Sequence, residues 1–445
     1  MRSRAVISLL ILSLSSVARD AYACSDIFFN KNGSSLLAHN MDWVSGEGMV
    51  VINKRHVQKH GFQIENNPQF TWTSQYGSIT LTFDGRESTG RGMNEAGLVI
   101  LEAALSATQQ SRSHNLPLLS VAQWTQYQLD TSATVDDVIA SDKVVRIWPD
   151  DMQSHFIVRD KSGKVAVIEW LGGEMTVYQG SSLPIPAIVN SAYKSCVTDG
   201  DDPSGRFKLI ADGLASYDEA TNSDGLDYVY SILRDVSDKL SFPVRTLWSV
   251  VFDLRAMRLY ISTVQNRDLR YLDMKDFDFS CQTAVEVLDI NGPGSGNIRS
   301  SFVPYTTEFN RMIVKRTYDI YASYGSTTPE EVIEKTITFP ETTTCADSGT
   351  GGSGGGSGSS VSSGGASGGG TGGVTRSSGG SAGSPSPTGG SGAGGATSAG
   401  TSSTPGSGGS SGCSCSLEGS GHGFTGLIAL LLGLGLAVRS RLRRA

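Results

Sequence analysis

This 445-residue chain has no basic stripe in its globular part, and its formal net charge is −7. That combination excludes nucleic acid as an expected partner, because phosphate binding needs clustered Lys and Arg. Cysteine is scarce as well. The six are Cys24, Cys196, Cys281, Cys345, Cys413 and Cys415. A small disulfide-built scaffold is thereby excluded, and a domain of this size has enough residues to bury its own core. With Cys24 set aside, Cys196, Cys281 and Cys345 allow one bridge and leave an odd thiol; spacing does not say which pair joins. The apolar run at residues 423–438 falls short of the roughly 20 residues that a spanning helix needs. Neither a metal nor a cofactor is expected.

What is present begins with the first residues. Arg2 and Arg4 make a positive start, Ala5 to Val17 form a short apolar run, and Ala21-Tyr22-Ala23 is a small-x-small cleavage pattern. Residues 1–23 therefore read as a secretory signal. Cleavage after Ala23 makes Cys24 the first residue of the mature chain. An N-terminal cysteine carries a thiol and a free α-amine on one residue, with reference pKa values of about 8.5 and about 7.7–8.0. Nucleophile and base then sit together near neutral pH. Two other uses of such a cysteine stand beside this one: a lipid-modified anchor, whose acylated amine is no base, and half of a disulfide. Ala21 and Tyr22 fit a lipidation site poorly.

Residues 24–345 have ordinary globular composition and form the expected catalytic domain. Residues 346–412 are almost wholly Gly, Ser, Thr, Ala and Pro, which read as a flexible, disordered linker. Residues 413–445 form a tail: Cys413-Ser414-Cys415, the apolar run 423–438, then Arg439, Arg441, Arg443 and Arg444. The arginines place the C-terminus on the cytoplasmic side of a membrane.

Within the globular part, Ser25 to Asn30 and Ser35 to Trp43 read as strands around a Lys31-Asn32-Gly33-Ser34 turn. Folding that hairpin opposes residues whose numbers sum to 65 or 66, so Cys24 lies across from Met41 or Asp42. Further strands are expected at Met49 to Lys54, Ser78 to Phe83 and Gly97 to Leu101. A meander follows over residues 155–178, then short strands at 187–190, 246–253 and 257–264. Helices are expected at Leu118 to Leu129, from Thr134 with Asp137 closing a capping box, and at 329–335 with Thr328 as cap and Glu331 closing its box. Consecutive hairpins with few helices indicate an α+β domain with antiparallel sheets.

Cys24, the block Asn40-Met41-Asp42-Trp43, the run Gly92-Met93-Asn94-Glu95-Ala96-Gly97-Leu98, Asn190-Ser191 and Arg206-Phe207 occur in an order that resembles a known family. It is the choloylglycine hydrolase and penicillin V acylase group of N-terminal nucleophile (Ntn) hydrolases. Trp72 to Ser78 followed by Phe83-Asp84-Gly85-Arg86 is similar to the Gram-negative penicillin V acylase branch. The resemblance spans most of residues 24–275. It implies an αββα four-layer sandwich and hydrolysis of a linear amide in a small N-acyl substrate. It also implies roles. Cys24 attacks the carbonyl and its amine relays the proton; Asp42 orients the amine; Asn190 donates to the oxyanion; Arg206 holds positive charge near the sulfur. Asn94 to Gly97 read as a tight structural turn.

Two positions depart from the family pattern. His39 stands where an arginine is usual, which makes a titrating charge near the sulfur the expectation. Ala104 stands where bile salt enzymes carry Asn, which removes one oxyanion donor. The C-terminal end resembles the Cys-containing sorting tails of myxobacterial surface proteins. Export to the periplasm or cell surface is therefore expected, with signal peptidase and a C-terminal sorting protease as partners and membrane attachment through the tail. A permanent single-span anchor is the other reading of the tail. A non-catalytic surface binding protein or lipoprotein on the same scaffold is the alternative to the enzyme.

Overall fold

A computed structural model of the chain describes residues 24–346, apart from 65–66, 112–114, 201, 223 and 241–243. The expected signal segment, linker and sorting tail lie outside the described residues. Two large sheets dominate. The seven-stranded sheet runs in the order β10 (Ala187–Ile188), β1 (Ser25–Phe29), β2 (Leu36–Trp43), β11 (Arg245–Asp253), β12 (Arg258–Thr263), β13 (Arg270–Asp273), β15 (Gly296–Asn297). The nine-stranded sheet runs β9 (Glu174–Gln179), β8 (Val165–Leu171), β7 (Ser154–Arg159), β6 (Val99–Ala104), β5 (Thr89–Asn94), β4 (Ser78–Thr82), β3 (Met49–Asn53), β14 (Glu286–Asp289), β16 (Val303–Pro304). Pairing is antiparallel throughout except between β13 and β15.

Side-chain alternation shows how the layers stack. On β6, Val99 and Leu101 join the core that also holds Phe28, whose ring lies under Arg159 of the same sheet, whereas Leu98 and Ile100 pack with Trp124 and Leu129. Those last two belong to α1 (Val121–Thr131). On β3, Val50 and Ile52 point into the shared core, while Met49 and Val51 meet Ile313 of α6 (Thr307–Ser323). The other sheet is covered by α4 (Arg206–Ala215) and α5 (Gly225–Ser237). On α5, Val229, Ile232, Leu233 and Val236 are buried, and Asn40 Nδ2 on β2 donates to Leu233 O at 2.7 Å. Helix, sheet, sheet, helix is thus the layer order, and the α+β expectation holds.

The hairpin that matters most keeps a register sum of 65: Ser25 opposes Asn40 and Asp26 opposes His39. Extended by one residue, Cys24 faces Met41. α2 (Val135–Ala140) starts with the expected box, in which Thr134 and Asp137 each cap the other's backbone N–H. The last helix differs from expectation. α7 covers Glu330–Thr338 with Pro329 at the cap position and no side-chain cap bond; the Thr328 hydroxyl pairs with Ser326 Oγ at 3.2 Å instead. The bridge left open by spacing joins Cys281 to Cys345, while Cys24 and Cys196 are unbridged thiols.

Candidate active site

Cys24 is buried at the mouth of the β1–β2 hairpin, with 9% of its surface exposed. Alternation along β1 puts Ser25 on the face turned to α4 and Asp26 on the face turned to the second sheet. Continued back, it puts the Cys24 side chain on Asp26's face. Burial pushes the thiol up to about 12. Arg91 acts in the opposite sense, and the Asp42 and Asp26 carboxylates add to the rise. The Asp42 backbone N–H donates to the sulfur and lowers the value.

Asp42 is the penultimate residue of β2 and is fully buried. The Thr246 hydroxyl donates to its Oδ1 at 2.5 Å. Its Oδ2 has no hydrogen-bond partner among the described residues; Arg206 Nη1 forms an ion pair with it at 3.7 Å, too long for a hydrogen bond. Burial raises the Asp42 carboxyl to about 7, against the pull of the Thr246 hydroxyl and the Arg206 charge. A buried carboxylate oxygen left open costs stability unless something fills it.

Arg206, the first residue of α4, bridges the elements. Its Nη1 donates to Cys24 O at 2.7 Å and Ser25 Oγ at 2.9 Å, its Nη2 to Asn190 Oδ1 at 3.0 Å, and its Nε to Ser204 Oγ at 2.8 Å. Asn190 also donates through Nδ2 to Ala104 O at 2.8 Å. The amide is therefore fixed at both ends, with a second Nδ2 hydrogen still to give. The Ala104 departure reads differently here: its backbone carbonyl orients Asn190. The next turn is tied down too. Glu169 Oε1 accepts from Tyr193 N at 2.8 Å and pairs with His155 Nδ1 at 2.9 Å. Tyr193 opens the short helix α3 (Tyr193–Thr198), directly after Asn190-Ser191.

The structure thus brings Cys24, Asp42, Asn190 and Arg206 together. Arg206 holds the carbonyl of Cys24 and the Asn190 amide, and the charge of Arg91 draws the thiol down against burial. The structure corrects one expectation: His39 supplies no titrating charge. It is wholly buried, bonded through Nδ1 to Asp26 Oδ1 at 2.5 Å, and burial with the neighbouring Arg91 charge holds it well below the usual histidine range. Asp26 is held well above the carboxylate range, again by burial, so the pair stays neutral overall.

Sequence reasoning missed Arg91, Thr246 and the Asp26–His39 pair. Arg91 had a signal: a lone arginine between Gly90 and Gly92, adjoining the Met93-Asn94 block. Thr246 had none, since threonine is common in strands. Asn94 is structural, as expected; its Nδ2 donates to Leu129 O and Ser132 O at 2.9 and 2.8 Å, and Gly97 sits at φ +86° in the turn. No group of three or more His, Cys, Asp or Glu that could hold a metal occurs among the described residues.

Comparison with known proteins adds independent findings. The sequence profile of the linear amide C–N hydrolases, choloylglycine hydrolase family, matches residues 24–187. A penicillin V acylase of Pectobacterium atrosepticum is 24% identical over 321 residues, covering 60% of this chain and 84% of that protein. Among solved structures, penicillin V acylase from Agrobacterium tumefaciens superposes with a TM-score of 0.54 at 22% identity, covering 64% of this chain and 98% of that one. A variant of conjugated bile acid hydrolase from Clostridium perfringens gives a TM-score of 0.50 at 15% identity, with 62% and 99% covered. The structural likenesses show a shared fold, and the family resemblance read from the motifs is borne out.

Proposed function

We propose that this chain, whose described domain is of the choloylglycine hydrolase kind, hydrolyses linear amides of N-acyl compounds with Cys24 as an N-terminal nucleophile. The observation that carries the reading is the open oxygen of Asp42. Oδ2 is buried and accepts no hydrogen bond, and it lies 3.7 Å from the Arg206 Nη1 that also holds the Cys24 carbonyl. While residues 1–23 are attached, the Cys24 nitrogen is an amide. Once they are removed it is an amine, and Asp42 Oδ2 is its proposed acceptor. The start of the family match at residue 24 supports the same cleavage point.

The steps follow from the geometry. The α-amine takes the thiol proton, and the sulfur attacks the amide carbon. The carbonyl oxygen becomes an oxyanion facing the remaining Asn190 Nδ2 hydrogen, a donor of a kind worth roughly 2.7–4 kcal/mol in the transition state. The ammonium gives its proton to the leaving nitrogen, the C–N bond breaks, and a thioester remains. Water, deprotonated by the same amine, then releases the acid. Arg206 and Asp42 do not change covalently; they hold the amine, Asn190 and Cys24 in one frame.

Substrates of the proposed class are N-acyl amides with an apolar acyl group, for which penicillin V and an acyl homoserine lactone are practical probes. Cys24→Ala, expressed with its signal and correctly cleaved, should fold and show no hydrolysis above background. Wild-type rates from that variant would end the proposal.

A further inference from the structure

Arg91 is an unusual arginine. It is 98% buried by its neighbours, with 2% of its surface exposed, on β5 in the middle of the nine-stranded sheet. Yet no carboxylate forms an ion pair with it among the described residues. Its Nε has no partner, and its Nη1 rests on the Met41 sulfur at 3.4 Å. The guanidinium lies over the Trp248 ring at 4.9 Å and the Phe83 ring at 5.9 Å. Met41 and Trp248 are paired across β2 and β11, and Met41 is the residue that faces Cys24 when the hairpin register is extended. The strand alternation therefore places Arg91 and the Cys24 side chain in the same inter-sheet space.

A buried, unpaired cation is expensive, because removal from water is not offset by a counter-ion. Contact with ring faces and a thioether returns only part of that cost. The position calls for an anion that is absent in the resting thiol form. We propose that Arg91 is the cation that stabilises the Cys24 thiolate, reaching it from the sheet opposite the hairpin. This rests on the reading of Cys24 as nucleophile. The other groups facing Cys24 do not compete for the role. Asp26 and Asp42 oppose a thiolate, His39 is kept neutral by burial, and Arg206 is committed to the Cys24 carbonyl, Ser25 and Asn190. Glu102, whose buried carboxyl accepts from Ser154 Oγ, and Asp26 both feel the Arg91 charge, which favours their ionised forms, but burial holds both above the carboxylate range.

The arrangement makes Arg91 a positioning residue whose effect is read on the thiol itself. The test uses the processed full-length protein. Alkylation of Cys24 by iodoacetamide is followed by peptide mass spectrometry from pH 5 to 10, which separates it from Cys196 and needs no substrate. Arg91→Gln and Arg91→Met should raise the alkylation midpoint by at least one pH unit, a tenfold slower reaction at pH 6, and Arg91→Lys should stay close to wild type. A folded neutral variant, by circular dichroism and melting, with the wild-type midpoint overturns the proposal. If neither neutral variant folds, an Arg91→Lys midpoint raised as far as one unit overturns it, since a retained charge should preserve the thiolate. Wild-type protein that alkylates normally but hydrolyses no amide counts against the proposed function alone; hydrolysis with an unmoved midpoint in the variants counts against Arg91 alone.

Discussion

At the scale of single residues, the proposed role of Asp42 carries a pH expectation. Burial puts its carboxyl at about 7 in the chain described here. Freeing the Cys24 amine adds a cation beside Oδ2 and draws that value down. In the proposed mechanism the ionised form holds the amine, so activity should fall on the acid side as pH drops through the Asp42 pKa. The Thr246 hydroxyl favours the ionised form. Thr246→Val should move the acid limb of kcat/KM to higher pH by about one unit, since a lost hydrogen bond to a buried carboxylate is of that order. An unmoved limb would show that Asp42 is not the group titrating. His39→Gln, by contrast, should leave the profile between pH 5.5 and 7.5 unchanged in shape, because a buried, depressed imidazole does not titrate there. Residues such as Cys24, Asp42, Asn190 and Arg206 were legible in the sequence because each sits in a motif with fixed neighbours. His39 was misread because sequence gives residue type without surroundings. Asp26 and complete burial, both invisible in a motif, decide its charge.

At the scale of elements, the turn bearing Asn190 depends on β7 and β8. Glu169→Ala would free the Tyr193 N–H and its His155 partner. The expected result is a folded protein whose kcat falls by at least tenfold while KM changes little, because the proposed oxyanion donor is displaced and the substrate pocket is not. Equal kcat would mean that Ala104 O and Arg206 hold Asn190 unaided. The neighbouring strand β6 carries pH sensitivity. Burial raises Glu102 from 4.5 to about 7. A carboxyl with a raised folded pKa contributes stability that is complete below the unfolded value and lost as pH rises through about 7. A shift of that size corresponds to about 3 kcal/mol. Glu102→Gln should therefore flatten the urea midpoint between pH 5 and pH 8, gaining at the upper end. An identical slope for the two proteins would refute it. Strands were the readable elements: the hairpin, the meander and the β11–β12 pair all fall where alternation put them. α5 was not, because its Tyr, Val and Ile residues suit a strand as well as a helix. α6 was not, because its apolar residues are diluted among charged ones.

At the scale of the whole molecule, the fold ends in a clasp. Thr344–Cys345 pairs with Val57–His60 and is tied by the disulfide to Cys281, 64 residues earlier. The chain-entropy relation gives a loop of that length about 4 kcal/mol. Cys281→Ser with Cys345→Ser should lower stability by an amount of that order while leaving hydrolysis intact, read by thermal melting with and without reductant. A disulfide that persists also supports the proposed export, since such bonds last in oxidising compartments. The clasp directly precedes the Gly/Ser-rich segment, so tension along a tether would fall on a crosslinked strand. Removal of the tail remains our proposal, and surface-released protein ending near Cys413 without Arg439 to Ala445 is its expected mark. The central claim is narrower: the mature chain begins at Cys24 and reacts there. The most direct measurement is acid-quenched mass spectrometry of the processed protein mixed with penicillin V. The expected result is an acyl group on the Cys24 sulfur of a peptide whose N-terminus is a free Cys24 amine. A chain that retains residues 1–23, a lipid-blocked amine, or an acyl group found only elsewhere would contradict it.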